Sequence, residues 1–306
     1  MEKIEKVALI GAGAVGAYFI WGLSEKLQDG FSVIASGERK NRLEHNGLII
    51  NNKQYKLNVR TPDEAGIQDL ILVSCKADVL KDLLSDIQAM TGPDTLVLSL
   101  LNGVSSEEII GKEIGMEHMA YAVMRIASVR DGNKITFSEE NTAGIYVGER
   151  DLKEPTERLK AFEKLLKDTG IRYNFVENII LDVWTKYASN VAQNLPQAVL
   201  SVGYQAYKDS GHMHFIAEKL WKEVAAVANA KGIPLTNRFL LFSGVKPEAR
   251  FSTLQDLDAK RNTEIEMLAG EMISMGKELE ISVPYCEYTY HLIKSLEEKN
   301  DGKFEY

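Results

Sequence analysis

The sequence is poor in positive charge, cysteine and proline, and each shortage removes a class of protein. Lys and Arg number 36 against 44 Asp and Glu, and the net charge of -8 argues against a broad electrostatic grip on nucleic acid or anionic lipid. Cysteine occurs twice, as Cys75 and Cys286, without CxxC spacing. No disulfide framework follows from that, and two reduced, mostly buried thiols in a cytosolic protein are expected. No apolar run reaches the roughly 18 residues that a bilayer requires. The opening "MEKIEKVALI" meets acidic residues and then a strand-like run, unlike the charged-then-apolar layout of a secretory signal. His212 and His214 stand two apart and do not share a helix face, while His45, His118 and His291 are isolated, so no metal site is expected. Neither a G-x-S-x-G nucleophile turn nor a G-x-x-x-x-G-K-[ST] phosphate loop occurs.

What is present begins with the run "KVALI" at 6–10, which passes at once into "GAGAVGAYFIWGL", where the apolar spacing turns helical. Strand, glycine turn and helix in that order are the context in which G-x-G-x-x-G binds a dinucleotide. Gly11 permits the turn, Gly13 lets the backbone approach a diphosphate and Gly16 lets the helix pack on the strand. Ala12, Ala14 and Val15 complete the loop, and the helix start offers free N–H groups to the anion. Further strand-like runs at 31–36, 69–75 and 95–100, the last two separated by the helical "ADVLKDLLSDIQAM", predict an α/β fold with a Rossmann-type doubly wound sheet. Hairpins are expected over 48–60, turning at "NNK", and over 121–148. Past the glycines an acid would hold the ribose of NAD and a base the phosphate of NADP. Ser36 is neither, Glu38 comes a turn late, and Arg39 with Lys40 offers phosphate partners, which favours NADP. The plainer alternative is that Arg39 and Lys40 begin a solvated helix.

At 306 residues the chain suits two domains. After "IRYNFVENI" the strand signal gives way to long helical patterns, which predicts a nucleotide-binding domain over 1–177 and an all-helical substrate domain over 178–306. No Pro/Gly-rich linker separates them, so close packing around a ligand cleft is expected. The stretch "WTKYASNVAQN" puts Lys186, Asn190 and Asn194 at steps of four, spanning roughly 80° of a helix at the edge of an apolar stripe. Pro196 predicts a kink or break that frees carbonyls beside the two amides. A second long helix is expected over 253–280, with Glu264 about 20° from Leu257 on the rim of its apolar face. A carboxylate there needs a partner, and Lys186 is the natural one. Ser252 with Gln255 reads as a helix N-cap and capping box.

With "GAGAVGAY", "LLNGV" at 100–104, "WTKYASNVAQNLP" and "SxLQD…TEIE" over 252–266 together, the chain resembles the ketopantoate reductase (2-dehydropantoate 2-reductase) family along essentially its whole length. The resemblance implies a Rossmann domain followed by a helical domain of the 6-phosphogluconate dehydrogenase type. It also implies NADPH-dependent reduction of 2-dehydropantoate to pantoate, a step towards pantothenate and coenzyme A. Carried over by motif, Lys186 matches the family's catalytic lysine and Glu264 the glutamate that meets the substrate hydroxyl. Asn190 and Asn194 match substrate-contacting asparagines, and Ser252 a serine near the substrate carboxylate. Asn102 matches an asparagine between cofactor and substrate, and Lys76 a lysine on the nicotinamide side. Many members have "ARG" where this chain has Ala35-Ser36-Gly37, so Arg39 would have to replace the usual phosphate-binding arginine.

Reduction of a 2-keto acid places negative charge on the carbonyl oxygen, and a lysine at that oxygen supplies both a proton and a strong donor. The amides add donors without charge. Plainer readings stand beside these: Lys186 with Glu264 as an ion pair between helices, Asn190 and Asn194 as partners of carbonyls freed at Pro196, and Asn102-Gly103 as a turn. A reductase of another small 2-keto acid and a non-catalytic dinucleotide-binding sensor are the competing functions. Oligomeric state stays open, a homodimer included.

Overall fold

The computed structural model describes residues 3–242 and 244–304, so the first two residues of the stretch read for a secretory signal lie outside it. The chain divides into two units, Met1–Asp182 and Val183–Tyr306, where the sequence suggested a boundary at 177/178.

The first unit carries the strands β1 (Val7–Ile10), β2 (Phe31–Ile34), β3 (Leu48–Ile50), β4 (Lys53–Tyr55), β5 (Val59–Arg60) and β6 (Gln68–Val73). They continue as β7 (Thr91–Ser99), β8 (Met119–Arg125), β9 (Ser128–Asp131), β10 (Lys134–Phe137), β11 (Gly144–Gly148) and β12 (Tyr173–Phe175). The large sheet has the order β12-β11-β8-β7-β6-β1-β2-β5 and is parallel except between β8 and β11. Every residue of β1 and β2 is buried, as a sheet covered on both faces requires, and this is why β1 is an unbroken apolar run and β2 is interrupted only by the small Ser32. From β1 the chain runs outward through β2 to β5, then returns to β6 on the other side of β1. That reversal makes the carboxyl ends of β1 and β6 the topological switch point, the usual ligand position in such sheets. Helix α1 (Ala14–Leu27) follows β1, and α2 (Gly37–Asn46) follows β2. The expected helix at 77–90 is α-helical only from Leu84, after two 3-10 turns.

A small second sheet has the order β4-β3-β10-β9. Its first hairpin turns at Asn51 and Asn52, both at positive φ, in the mirror-image geometry that suits the twist of paired strands. The hairpin expected over 121–148 is divided between sheets. β9 and β10 form a tight hairpin that pairs β10 with β3, whereas β8 and β11 on either side pair with each other in the large sheet. Short polar β9 carries no face worth burying in the main core, so it leaves. Tyr18 and Trp21 of α1 pack edge-on against Phe137 of β10, which fixes the small sheet over α1.

In the second part of the chain, α3 (Ile179–Ser189) runs through a π-helical turn, Asn190–Asn194, into α4 (Leu195–Leu200). The irregularity expected at Pro196 therefore takes the form of this π turn and not of a break. The wider π turn shifts the hydrogen-bond register, so the proline enters as a first-turn residue of α4, where a missing N–H costs little. One carbonyl freed by the π turn, that of Gln193, accepts the buried Tyr207 hydroxyl.

After a single helical turn at Ala206–Asp209 come α5 (Gly211–Ala230), α6 (Ser252–Asp258), α7 (Glu271–Glu278), which continues from a π turn at Glu266–Gly270, and α8 (Pro284–Asn300). One long helix over 253–280 does not form. Between Leu257 and Ile265 no large apolar side chain exists to hold a helix on the core, and the chain turns through Lys260 at φ 51°. The Arg261 N–H closes α6 on the Asp256 carbonyl (2.8 Å), and Thr263 Oγ1 accepts the Ile265 N–H (3.2 Å) where the next helix begins. Glu264 thus stands at a helix start and not on one helix face with Leu257. The Ser252 capping box is also absent: Phe251 occupies the N-cap without a side-chain bond, and Gln255 donates to the Arg250 carbonyl instead (2.7 Å).

Candidate active site

The glycine turn is shaped by three different constraints. Gly11 lies at φ 104°, and a Cβ there would stand 2.6 Å from the Ser74 carbonyl group. Gly16 is packed so tightly that a Cβ would reach 2.1 Å from the Gly11 carbonyl oxygen and 2.8 Å from Ser74 Oγ. Ser74, at the end of β6, ties the turn down: its hydroxyl donates to the Gly11 carbonyl (2.6 Å) and its N–H to that of Ile10 (2.7 Å). Gly13, the N-cap of α1, is open, since a Cβ there would meet only Arg130 Nη1 at 3.9 Å. Ala12, Ala14 and Val15 fill the loop between these glycines, and the first N–H groups of α1 face outward from it. An open backbone at the head of a helix fits a diphosphate.

Ser36 is the N-cap of α2, with no side-chain capping bond, and Arg39 follows in the first turn, exposed. Lys40 is held by Glu64 (2.5 Å) and Glu44 (3.7 Å), which removes it from the pair of cations read from the sequence. Arg39 instead influences Cys75: burial pushes that thiol up to about 11, and the Arg39 charge opposes the shift. A thiol so raised is protonated at neutral pH and is no nucleophile. Lys76 is exposed just beyond β6. Asn102 is half-buried in the loop after β7, which is anchored by a Ser99–Ser106 hydroxyl contact of 2.7 Å and turns at Gly103 with φ 98°.

Lys186 and Asn190 are half-buried, Asn194 is buried at 7 % exposure, and Asn190 and Asn194 are the first and last residues of the π turn. Asn194 Nδ2 lies 3.4 Å from Ser252 Oγ at the exposed start of α6, so the structure brings these two expected residues together. Glu264 is half-buried, and its carbonyl accepts the Leu268 N–H (3.0 Å). Tyr187, next to Lys186, donates its hydroxyl to the carbonyls of Leu268 (2.6 Å) and Met267 (3.3 Å). Burial holds that phenol well above its usual range, so it remains a donor. The α3 segment bearing Lys186 is thereby bonded, through its neighbour Tyr187, to the π turn that begins two residues after Glu264. Each of the two π turns leaves carbonyls that a buried tyrosine satisfies, and π turns concentrate at functional positions.

Three contributors escaped the sequence reading. Arg130 stands beside Gly13 because the small sheet lies on α1, a placement no local spacing reveals. Ser74 could have been noted as a small polar residue ending a buried strand. Thr263, the first member of "TEIE", carries a T-x-x-E helix-start signal that the assumption of one long helix concealed. Among the described residues no group of three or more His, Cys, Asp or Glu side chains is placed to hold a metal ion, and no helix is long and apolar enough to cross a membrane.

Comparison with known proteins identifies the family. Residues 7–151 match the family described as ketopantoate reductase PanE/ApbA, and residues 178–297 match that family's C-terminal region. A 2-dehydropantoate 2-reductase of Pyrococcus horikoshii is 28% identical over 97% of this chain and 99% of its own length. Among solved structures, a D-mandelate dehydrogenase with NADH and anilino(oxo)acetate is similar at a TM-score of 0.84, with 25% identity over 97% of this chain and 99% of the other. A PanE/ApbA family ketopantoate reductase from Ralstonia eutropha JMP134 is similar at 0.81, again with 25% identity, 97% of this chain and 99% of the other. With both of its regions matched, the chain belongs to the ketopantoate reductase PanE/ApbA family of oxidoreductases.

Proposed function

We propose that the protein reduces the ketone of a small 2-keto acid with NADPH, and that 2-dehydropantoate, yielding pantoate for pantothenate and coenzyme A synthesis, is the substrate. The observation that carries the reading is the meeting of Asn194 with Ser252 at a π turn opened by Asn190, one turn from Lys186. Uncharged donors gathered beside a lysine suit a carboxylate with an adjacent ketone.

The glycine turn holds the cofactor's diphosphate against its N–H groups, and Arg39, with Ser36 at the strand end, meets the ribose phosphate that distinguishes NADPH. Lys76 and Asn102 hold the nicotinamide end. The cofactor, when bound, supplies a hydride to the ketone carbon. Lys186 donates a hydrogen bond to the carbonyl oxygen and then its proton as negative charge develops there, an effect typically worth about 10²–10⁴-fold in rate. Asn190 and Asn194 donate to the substrate's oxygens, Ser252 to its carboxylate, and Glu264 accepts from the hydroxyl.

Reduction of a different 2-keto acid is the second reading, favoured by similarity to the D-mandelate dehydrogenase structure. Purified protein with NADPH should consume 2-dehydropantoate faster than phenylglyoxylate, followed as loss of nicotinamide absorbance. The reverse preference would transfer the assignment to the second reading. Tight NADPH binding without turnover of either acid would leave a dinucleotide sensor and end the reductase proposal.

A further inference from the structure

Helix α8 carries Tyr290, Lys294 and Glu297 at i, i+4 and i+7, one face of a helix, and the three bond to the first and last residues of "TEIE", Thr263 and Glu266. Glu297 is buried at 6 % exposure, and one of its oxygens accepts both the N–H and the hydroxyl of Thr263, each at 2.7 Å. Its other oxygen pairs with Lys294 Nζ at 2.9 Å. Lys294 also reaches Glu266 (3.5 Å), whose carboxylate accepts the Tyr290 hydroxyl (2.8 Å). Thr263 in turn takes the Ile265 N–H on its hydroxyl oxygen, and Glu264 receives the Leu268 N–H on its carbonyl. Glu264 thus follows directly on the residue that Glu297 holds, and its own carbonyl is held by the Leu268 N–H.

We propose that Glu297 is a positioning residue that sets the direction of the Glu264 carboxylate through Thr263. This rests on the assignment of Glu264 to the substrate hydroxyl made above. Tethering α8 to a loop needs no buried carboxylate, because taking a charge out of water is unfavourable unless its hydrogen bonds are fully used, and an apolar contact would serve as well. A carboxylate receiving two donors from a single residue instead fixes the orientation of that residue. Such a hold matters where the next side chain must act within about 0.5 Å of a set geometry.

A double-mutant cycle tests this on the full-length protein, with 2-keto acid and NADPH as substrates. Glu297→Ala should lower kcat/KM about 10–100-fold while leaving the NADPH Kd within about twofold, and the same change in a Glu264→Gln background should cost less than about threefold. Thr263→Val, which leaves the Lys294–Glu297 pair in place, should show the same pattern, and Thr263→Ser should restore activity. An equal loss in both backgrounds, or full activity of Glu297→Ala and Thr263→Val, overturns the positioning role. If Glu264→Gln is itself as active as the wild type, the assignment of Glu264 fails first and this inference falls with it.

Discussion

Substituting alanine at each glycine of the turn should separate folding from cofactor binding. At Gly16 the new methyl meets the Gly11 carbonyl oxygen at 2.1 Å and Ser74 Oγ at 2.8 Å, and the carbonyl is backbone that cannot swing aside. Overpacking of this kind costs about 1–3 kcal/mol and more where backbone must move, so about 3 kcal/mol is expected. At about 2–4 °C per kcal/mol, the melting temperature of Gly16→Ala should fall by about 6–12 °C. Gly11→Ala adds strain from φ 104° to its contact with Ser74 and should fall at least as far. Gly13→Ala is different. Its φ of -90° suits any residue, and the nearest atom to the added Cβ is the mobile end of Arg130 at 3.9 Å. Only the preference for glycine over alanine at an N-cap is lost, about 1 kcal/mol or less. The methyl nevertheless lies on the open face assigned to the diphosphate, so the NADPH Kd should rise at least about 30-fold, equivalent to about 2 kcal/mol. Melting curves of the free proteins, paired with fluorescence titration of NADPH, provide both readouts. If Gly13→Ala binds NADPH like the wild type, or melts as low as Gly16→Ala, the reading of this turn is refuted.

Arg39→Ala should weaken NADPH about 10-fold or more and leave NADH nearly unchanged; equal weakening of both in titrations would remove Arg39 from the ribose phosphate. Glu223 of α5 accepts the N–H groups of Tyr285 and Cys286 (2.8 Å each) and so caps α8 from a neighbouring helix. Glu223→Ala leaves one buried and one half-buried donor unsatisfied, at about 1–3 kcal/mol for the buried one, and a melting temperature within about 1 °C of the wild type would contradict that cap. Burial pushes the Glu297 carboxyl up, but bonds from Lys294 and Thr263 outweigh it and hold the group below the usual carboxylate range. A lowered carboxylate stabilises above its unfolded value, about 4.3, and loses that contribution as pH falls through the folded value. The difference in melting temperature between wild type and Glu297→Gln should therefore narrow from pH 5 towards pH 3; a difference that stays constant would show that ionisation of Glu297 does not matter.

The large sheet was legible because buried parallel strands leave unbroken apolar runs, and the turn at Asn51-Asn52 because few residues accept positive φ. The second long helix was misread for a physical reason. Leu254 and Leu257 on one side, and Ile265 and Leu268 on the other, keep helical spacing across a polar stretch, so periodicity alone continues the helix through Lys260 and Arg261. Composition of the gap was the better guide, since nothing in it can be buried. At Pro196 an irregularity was legible but its form was not, because a π turn accommodates the proline without breaking the helix. Lys186, Asn190 and Asn194 were visible as polar residues at the edge of an apolar stripe. Their supports were not visible: nothing in the local spacing marks out Tyr187, Tyr207 or Glu297. Those roles depend on which helix lies alongside, which spacing within a single segment does not encode.

The most direct test of the proposed chemistry is a single-turnover measurement, in which protein saturated with NADPH is mixed rapidly with 2-dehydropantoate and the loss of reduced nicotinamide is followed for wild type and Lys186→Ala. The account predicts a rate lower by about 10²–10⁴-fold in the variant with NADPH affinity unchanged. A rate within about threefold of the wild type would mean that the proton on the new hydroxyl comes from elsewhere.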